Sequence, residues 1–167
     1  MEGKKTNKTR ALLVFGAPCS GKTTFAEKFA DKYDIAYYDL NAIEADTNCS
    51  RELLAYILSL ILHTRKNVII EGGLDTEADR NAMREILINA GYEPSLIWVQ
   101  TDVTTIKRRM KMRYKSVAKA REAYESLVSL MEAPSEAENP IVISGKHTFD
   151  TQNIHVLAGL ADVNKRQ

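Results

Sequence analysis

Eight consecutive residues, Gly16–Thr23 (GAPCSGKT), carry the most specific chemical pattern in the chain, G-x-x-x-x-G-K-[ST]. A triphosphate needs many N–H donors converging on its oxygens, and a loop that wraps a phosphate supplies them when its amides turn inward. Glycine at 16 and 21 permits unusual dihedrals and close approach of the backbone to a ligand. Lys22 offers a flexible point charge to the β/γ oxygens, and the Thr23 hydroxyl comes one residue later, where it can ligate Mg2+. The predicted phosphate site is Gly16, Ala17, Pro18, Cys19, Ser20, Gly21, Lys22, Thr23 and Thr24.

Such a loop must join a strand to a helix, because the helix adds its positive end and its unpaired amides. The apolar run Ala11–Gly16 predicts the strand, and Lys22–Tyr33 predicts the helix, with Phe25, Ala26, Phe29 and Ala30 at helical spacing. Further strands are predicted at Ile35–Tyr38, Asn67–Gly72, Ser95–Gln100 and Ile141–Ser144. Helices are predicted between them. Arg51–His63 has a stripe of Leu53, Leu54, Ile57, Leu58, Ile61 and Leu62 behind a Ser50 cap. Thr76–Ala90 is expected to turn Ala78, Ala82, Met83, Ile86 and Leu87 inward, with Gly91 at its end. Asp102 reads as the cap of Val103–Met112; a more polar helix follows over Lys115–Met131, then a loop at Ala133–Pro140 and a closing helix at Asp150–Leu160, with Asp162–Gln167 frayed. Trp98 is expected in the core. Five apolar strands alternating with helices predict an α/β fold, a three-layer α/β/α sandwich around a five-stranded parallel sheet.

The chain has 167 residues, 44% apolar and 27% charged, which suits one globular domain and excludes collagen, a disulfide knot and a disordered tail. A net charge of +1 points to neither a nucleic acid nor a membrane on its own. Cys19 and Cys49 form no C-x-x-C pair, which favours a reducing compartment. His63 and His155 show no spacing with acids that suits zinc. Residues 1–10 read as a flexible basic N-terminus, and the six apolar residues after them are too few for a signal or a span. A cytoplasmic protein without membrane contact is expected.

With GAPCSGKT as its specific element, this ordered series resembles the small P-loop kinases, and within them the zeta-toxin and polynucleotide-kinase-like branch, with an AAA-type ATP-binding domain and a shikimate/adenylate-kinase-like fold. The resemblance implies a P-loop NTPase fold over 11–161, with ATP and Mg2+ as cofactors, an acceptor site near the ends of strands two and three, and an arginine-bearing lid at about 107–133. The lid pattern R-x-x-x-R falls on Arg109 and Arg113, which would close over the γ-phosphate. Lys107–Arg121 holds eight basic residues and no acid, and acids take over from Glu122 to Glu138. That charge run reads alternatively as a solvated face or as a phosphate-tracking surface for a nucleic-acid acceptor.

Glu71, in VIIEGG, stands where such kinases place an acid that holds a water on Mg2+ or orients the acceptor hydroxyl. Arg80 is either the arginine that often follows this strand or a helix-surface residue. Relatives commonly carry an aspartate base after strand two, followed by two small or apolar residues. Aligned on Ala42–Ile43, that position holds Asn41, which cannot accept a proton. Asp39, two residues earlier and on the same face if the strand continues, is the substitute base; Glu44, Asp46 and Glu71 are the other candidates. Lys146 and His147, after strand five, are expected to line the adenine. The expected activity is transfer of the ATP γ-phosphate to a hydroxyl of a small molecule, nucleoside or nucleic-acid end. The alternative, which Asn41 favours, is a nucleotide-dependent binding module or weak ATPase. No N-K-x-D guanine-reading motif is present, and acceptor identity and oligomeric state stay open.

Overall fold

The computed structural model describes residues 9–165. Its five strands form one parallel sheet in the order β2-β3-β1-β4-β5. These are β1 (Thr9–Phe15), β2 (Ala36–Asp39), β3 (Val68–Glu71), β4 (Tyr92–Gln100) and β5 (Ile141–Ser144). The helices are α1 (Lys22–Tyr33), α2 (Leu40–Thr47), α3 (Arg51–His63), α4 (Glu77–Asn89), α5 (Val103–Tyr114), α6 (Val117–Val128) and α7 (Phe149–Lys165). β1 lies at the centre, where the strand order turns from one side to the other, and ligands of open α/β sheets sit outside the strand C-termini at such a point. The register sets Val14 and Asp39 on either side of Glu71.

Alternation along β1 builds two cores. Leu12 and Val14 face Phe25, Phe29, Ile97 and Val156, whereas Ala11, Leu13 and Phe15 face Leu58, Leu62, Met83 and Leu87. Helices therefore cover both faces of the sheet, as the alternating pattern predicts. Trp98 is only partly buried, stacked on Phe15 with ring centroids 6.1 Å apart.

Several boundaries differ from expectation. Thr9 and Arg10 belong to β1, paired with Tyr92 and Glu93, and the Arg10 amide donates to Asn67 Oδ1 at 2.8 Å. The remainder of the expected basic N-terminus, 1–8, lies outside the described residues. α2 is additional: β2 stops at Asp39, whose Oδ1 accepts from the Ala42 amide at 3.1 Å and starts a helix. Asp39 and Asn41 thus do not share a strand face. On α4 the buried stripe is Arg80, Met83 and Leu87, so Ala78, Ala82 and Ile86 face outward. Lys115, in the left-handed conformation, breaks the basic segment into two helices. α7 continues past Leu160 to Lys165, so Asp162–Lys165 is helical; 166–167 lie outside the described residues. No helix among the described residues is long and apolar enough to cross a membrane.

Candidate nucleotide and acceptor site

The β1–α1 turn is held in an unusual shape. Cys19 and Gly21 have φ values of 59° and 106°. A Cβ on Gly16 would collide with the Val99 carbonyl, and one on Gly145 would collide with the Ser20 carbonyl, so both positions need glycine for close approach. Arg109 grips the turn from α5: Nη1 donates to the carbonyls of Cys19 (3.1 Å) and Ser20 (3.0 Å), and Nη2 to Gly145 (2.9 Å). The Thr101 hydroxyl donates to the same Ser20 carbonyl at 2.8 Å.

With those carbonyls occupied, the amides of Gly21, Lys22, Thr23 and Thr24 have no acceptor among the described residues. α1 has no side-chain cap and no acid in its first turn, whereas Asp39, Ser50, Thr76, Asp102 and Ser116 cap the five helices that follow. Unpaired donors and the positive end of a helix therefore open onto one hollow of about 530 Å³. Lys22, Lys28, Arg109 and Arg113 line it together with Thr23, Thr24, His147, Thr148, Phe149 and Gln152, and no carboxylate does. Four cations around a hollow with no acid in its own lining attract negative charge, Lys22 sharing its charge with Glu71 alongside.

A carboxylate corner adjoins it. Glu71 is 3% exposed. Its Oε1 accepts from the Thr23 hydroxyl at 2.9 Å and lies 3.6 Å from Lys22 Nζ; its Oε2 accepts from the Tyr37 hydroxyl at 2.8 Å. Burial, and then the bond to Glu71, push the Tyr37 phenol far above its ordinary range, so the group stays a donor. A hydroxyl and a carboxylate at the end of a phosphate cradle are hard oxygen donors, and this set fits Mg2+. Among the described residues no group of three or more His, Cys, Asp or Glu side chains gathers as a metal site.

The ends of β2 and β3, where the acceptor site is expected, lie beside the Gly72–Gly73 turn. A Cβ on Gly72 would lie 2.9 Å from Asn41 Oδ1, so the Asn41 side chain stands directly over that glycine. Above Gly73 nothing lies within 4 Å of the same construction. Glu44 and Asp46 point from α2 into solvent.

The expected site residues thus divide. Lys22, Thr23, Glu71, Arg109 and Arg113 converge on the hollow and its edge. Arg109 is committed to backbone carbonyls; Arg113, which is exposed, forms no hydrogen bond or ion pair among the described residues. His147 lines the hollow, but Lys146 turns away: its Nζ lies 3.1 Å from Asp102 Oδ2, on another face. The Thr105 amide and hydroxyl, and then Lys146, hold the Asp102 carboxyl far below its ordinary range, and the ion pair keeps Lys146 out of the hollow. The sequence reading missed Lys28, Phe149, Gln152 and Tyr37. The first was legible as the residue one turn beyond Thr24 on the same helix face; the others depend on packing of α7 and β2. Cys19 and Cys49 are free thiols.

No protein-family profile and no curated protein matches the sequence. Solved structures do resemble the fold. A gluconokinase from Sinorhizobium meliloti 1021 superposes with a TM-score of 0.69 at 14% identity, covering 95% of this chain and 95% of that one. An APS kinase from Mycobacterium tuberculosis, solved with AMPPNP and APS, gives 0.68 at 18% identity over 92% and 98%. A shikimate kinase from Aquifex aeolicus gives 0.55 at 18% identity over 92% and 96%. At these identities the likeness shows the fold alone, a five-stranded parallel sheet between helices like that of these kinases.

Proposed function

We propose that the chain is an ATP-dependent phosphotransferase that moves the γ-phosphate to a hydroxyl of a small molecule. The observation that carries this reading is the uncapped N-terminus of α1, whose four unpaired amides open onto a hollow lined by four cations and no acid. The phosphates lie along Gly16–Thr24, and the base of the nucleotide lies toward His147, Phe149 and Gln152. Mg2+, held by the Thr23 hydroxyl and by Glu71, would neutralise charge on the phosphate oxygens. Tyr37 keeps Glu71 oriented through the oxygen that faces away from Thr23.

The α5–α6 hairpin, at about 107–133, serves as the lid. Arg109 shapes the loop, and the unpartnered Arg113 meets the charge that develops on the transferring group. Asp39 is the base. One of its oxygens caps α2 and the other stays available, whereas both oxygens of Glu71 are engaged. Asn41 orients the acceptor over Gly72 and Gly73. The fold neighbours named as gluconokinase and shikimate kinase support a small-molecule acceptor over the nucleic-acid end of the narrower branch.

A screen of hydroxyl metabolites for ATP consumption tests the reading. Acceptor-dependent ADP release, lost in Asp39→Asn, is the expected result. Asn41 in the base position favours a second reading, a nucleotide-dependent binding module. ADP release indifferent to every hydroxyl compound but raised by a protein partner would select it.

A further inference from the structure

Among the described residues Arg80 is the largest side chain with no exposed surface. Its Nε and Nη2 donate to the two carboxylate oxygens of Glu138 at 2.6 and 3.0 Å, and Glu138 is itself 4% exposed. Its Nη1 donates to three carbonyls: Leu74 and Asp75 (3.2 Å each) in the loop after Gly72–Gly73, and Glu132 (3.0 Å) beyond α6. The guanidinium carbon lies 4.7 Å from the ring centre of Phe15, the residue that leads into the phosphate loop. Two more bonds tie the same strands of chain together. The Glu132 amide donates to the Asp75 carbonyl at 2.8 Å, and the Glu77 amide donates to Glu132 Oε2 at 2.8 Å. Arg84 adds a bond to the Glu138 carbonyl at 3.0 Å.

An arginine buried this completely costs desolvation that one ion pair rarely recovers, so a role in specifying geometry is the stronger account of its presence. The geometry points to Arg80 as a positioning residue that anchors the exit of the α5–α6 hairpin to the floor of the acceptor crevice. This rests on the reading of that hairpin as a lid over bound nucleotide. The hairpin enters at Asp102, which caps α5 and pairs with Lys146, and leaves at Glu132, which Arg80 holds. Between these two points Ile106 and Met110 of α5 and Ala120 of α6 form one apolar cluster, against which Ala17 and Cys19 pack. With both ends fixed, the segment moves as one body, and its return stays registered to Leu74–Asp75, directly after the Gly72–Gly73 turn over which the acceptor sits. Arg80→Gln and Glu138→Ala each strand buried polar groups, so loss of folding in either would say nothing about anchoring.

The informative variant is Arg80→Lys. It keeps the charge beside Glu138 but cannot reach three carbonyls at once. Arg80→Met with Glu138→Leu is its backup, because replacing both partners by apolar side chains leaves no buried charge. Hydrogen exchange of the full chain is measured with and without Mg–AMPPNP. In Arg80→Lys, exchange over 129–139 is expected to rise about tenfold or more without nucleotide while β1, β3 and β4 hold. Mg–AMPPNP is expected still to slow 16–25, and no longer to slow 103–128 as it does in the parent. An unchanged 129–139 rate, or lid protection equal to the parent's, overturns the anchor. If the parent shows no protection at 16–25, the nucleotide reading falls instead, and the 129–139 rate alone decides the anchor. The same measures apply to the double variant if Arg80→Lys does not fold.

Discussion

Two neighbouring strands, β1 and β3, each release the chain through glycines into a helix, and the two turns solve the same problem in opposite ways. At α4 the orphan amides are answered from within. The Thr76 hydroxyl accepts from the Asp79 amide at 3.1 Å, Asp79 Oδ2 accepts from the Thr76 amide at 3.3 Å, and Glu77 and Asp79 place negative charge in the first turn. At α1 nothing answers. The cap is Gly21, the first turn has no acid, and its leading residue is Lys22. A helix end that gives up its own cap forgoes stability that Ser, Thr or Asp would supply there. The sacrifice makes sense where an anion from outside completes the structure. The first turn leaves its amides unpaired, and the second pairs its own.

Lys22→Ala breaks the comparison most severely. It removes a side-chain charge proposed to meet the β/γ oxygens, and removal of a single such group costs turnover about 10²–10³-fold. Turnover is expected to fall by that order, and the rise in melting temperature on adding Mg–ATP is expected to vanish. Undiminished stabilisation by nucleotide would show that the turn is not a phosphate grip. Next in size is Gly145→Ala. Its new Cβ would meet the Ser20 carbonyl, which Arg109 and Thr101 also hold. Forced overpacking costs about 1–3 kcal/mol, and here the displaced group is the loop itself. Chemical denaturation is expected to report that loss, and nucleotide titration a matching fall in affinity. A variant as stable and as tight as the parent would mean that the loop does not rest on this glycine.

How far the sequence foretold this contrast follows from where each signal lies. The phosphate turn was legible because its backbone shape is written in local spacing: two glycines, a lysine and a threonine within eight residues. α2 was not, because a four-residue strand and an eight-residue helix share one short segment, and the Asp39 cap that divides them has no hydrophobic period behind it. The direction of Lys146 was hidden for a different reason. Its position after β5 suited the adenine, but its side chain answers Asp102, 44 positions earlier in the sequence. Arg80 is the sharpest case. Nothing in DTEADR distinguishes a surface arginine from a buried one, since its partner Glu138 and the Glu132 carbonyl come 58 and 52 residues later. Local pattern revealed what the backbone must do, and long-range ion pairs decided which charges served the site.

The finished turn tests the converse. Thr76→Ala removes the hydroxyl half of the capping box at α4, leaves the Thr76 amide on Asp79 Oδ2, and is expected to lower stability by about 1 kcal/mol. Mg–ATP should stabilise this variant as much as it does the parent, read as equal shifts in melting temperature. A lowered shift would mean that the α4 terminus also contributes to the nucleotide site.

The smallest effect is the most discriminating. Thr24 is exposed in the first turn of α1, at the edge of the hollow. Thr24→Asp supplies the negative charge that this terminus lacks, and a carboxylate near a helix N-terminus contributes about 0.3–1 kcal/mol at low ionic strength. The variant without nucleotide should therefore be slightly more stable than the parent, and that gain should shrink as salt is added. The same carboxylate faces the phosphates, so Mg–ATP should stabilise it less. The two shifts have opposite signs, which ordinary damage to the fold would not produce. A variant that lost stability both with and without nucleotide would show that the terminus of α1 is not an unanswered positive end, and the contrast with α4 would then rest on the hydrogen-bond count alone.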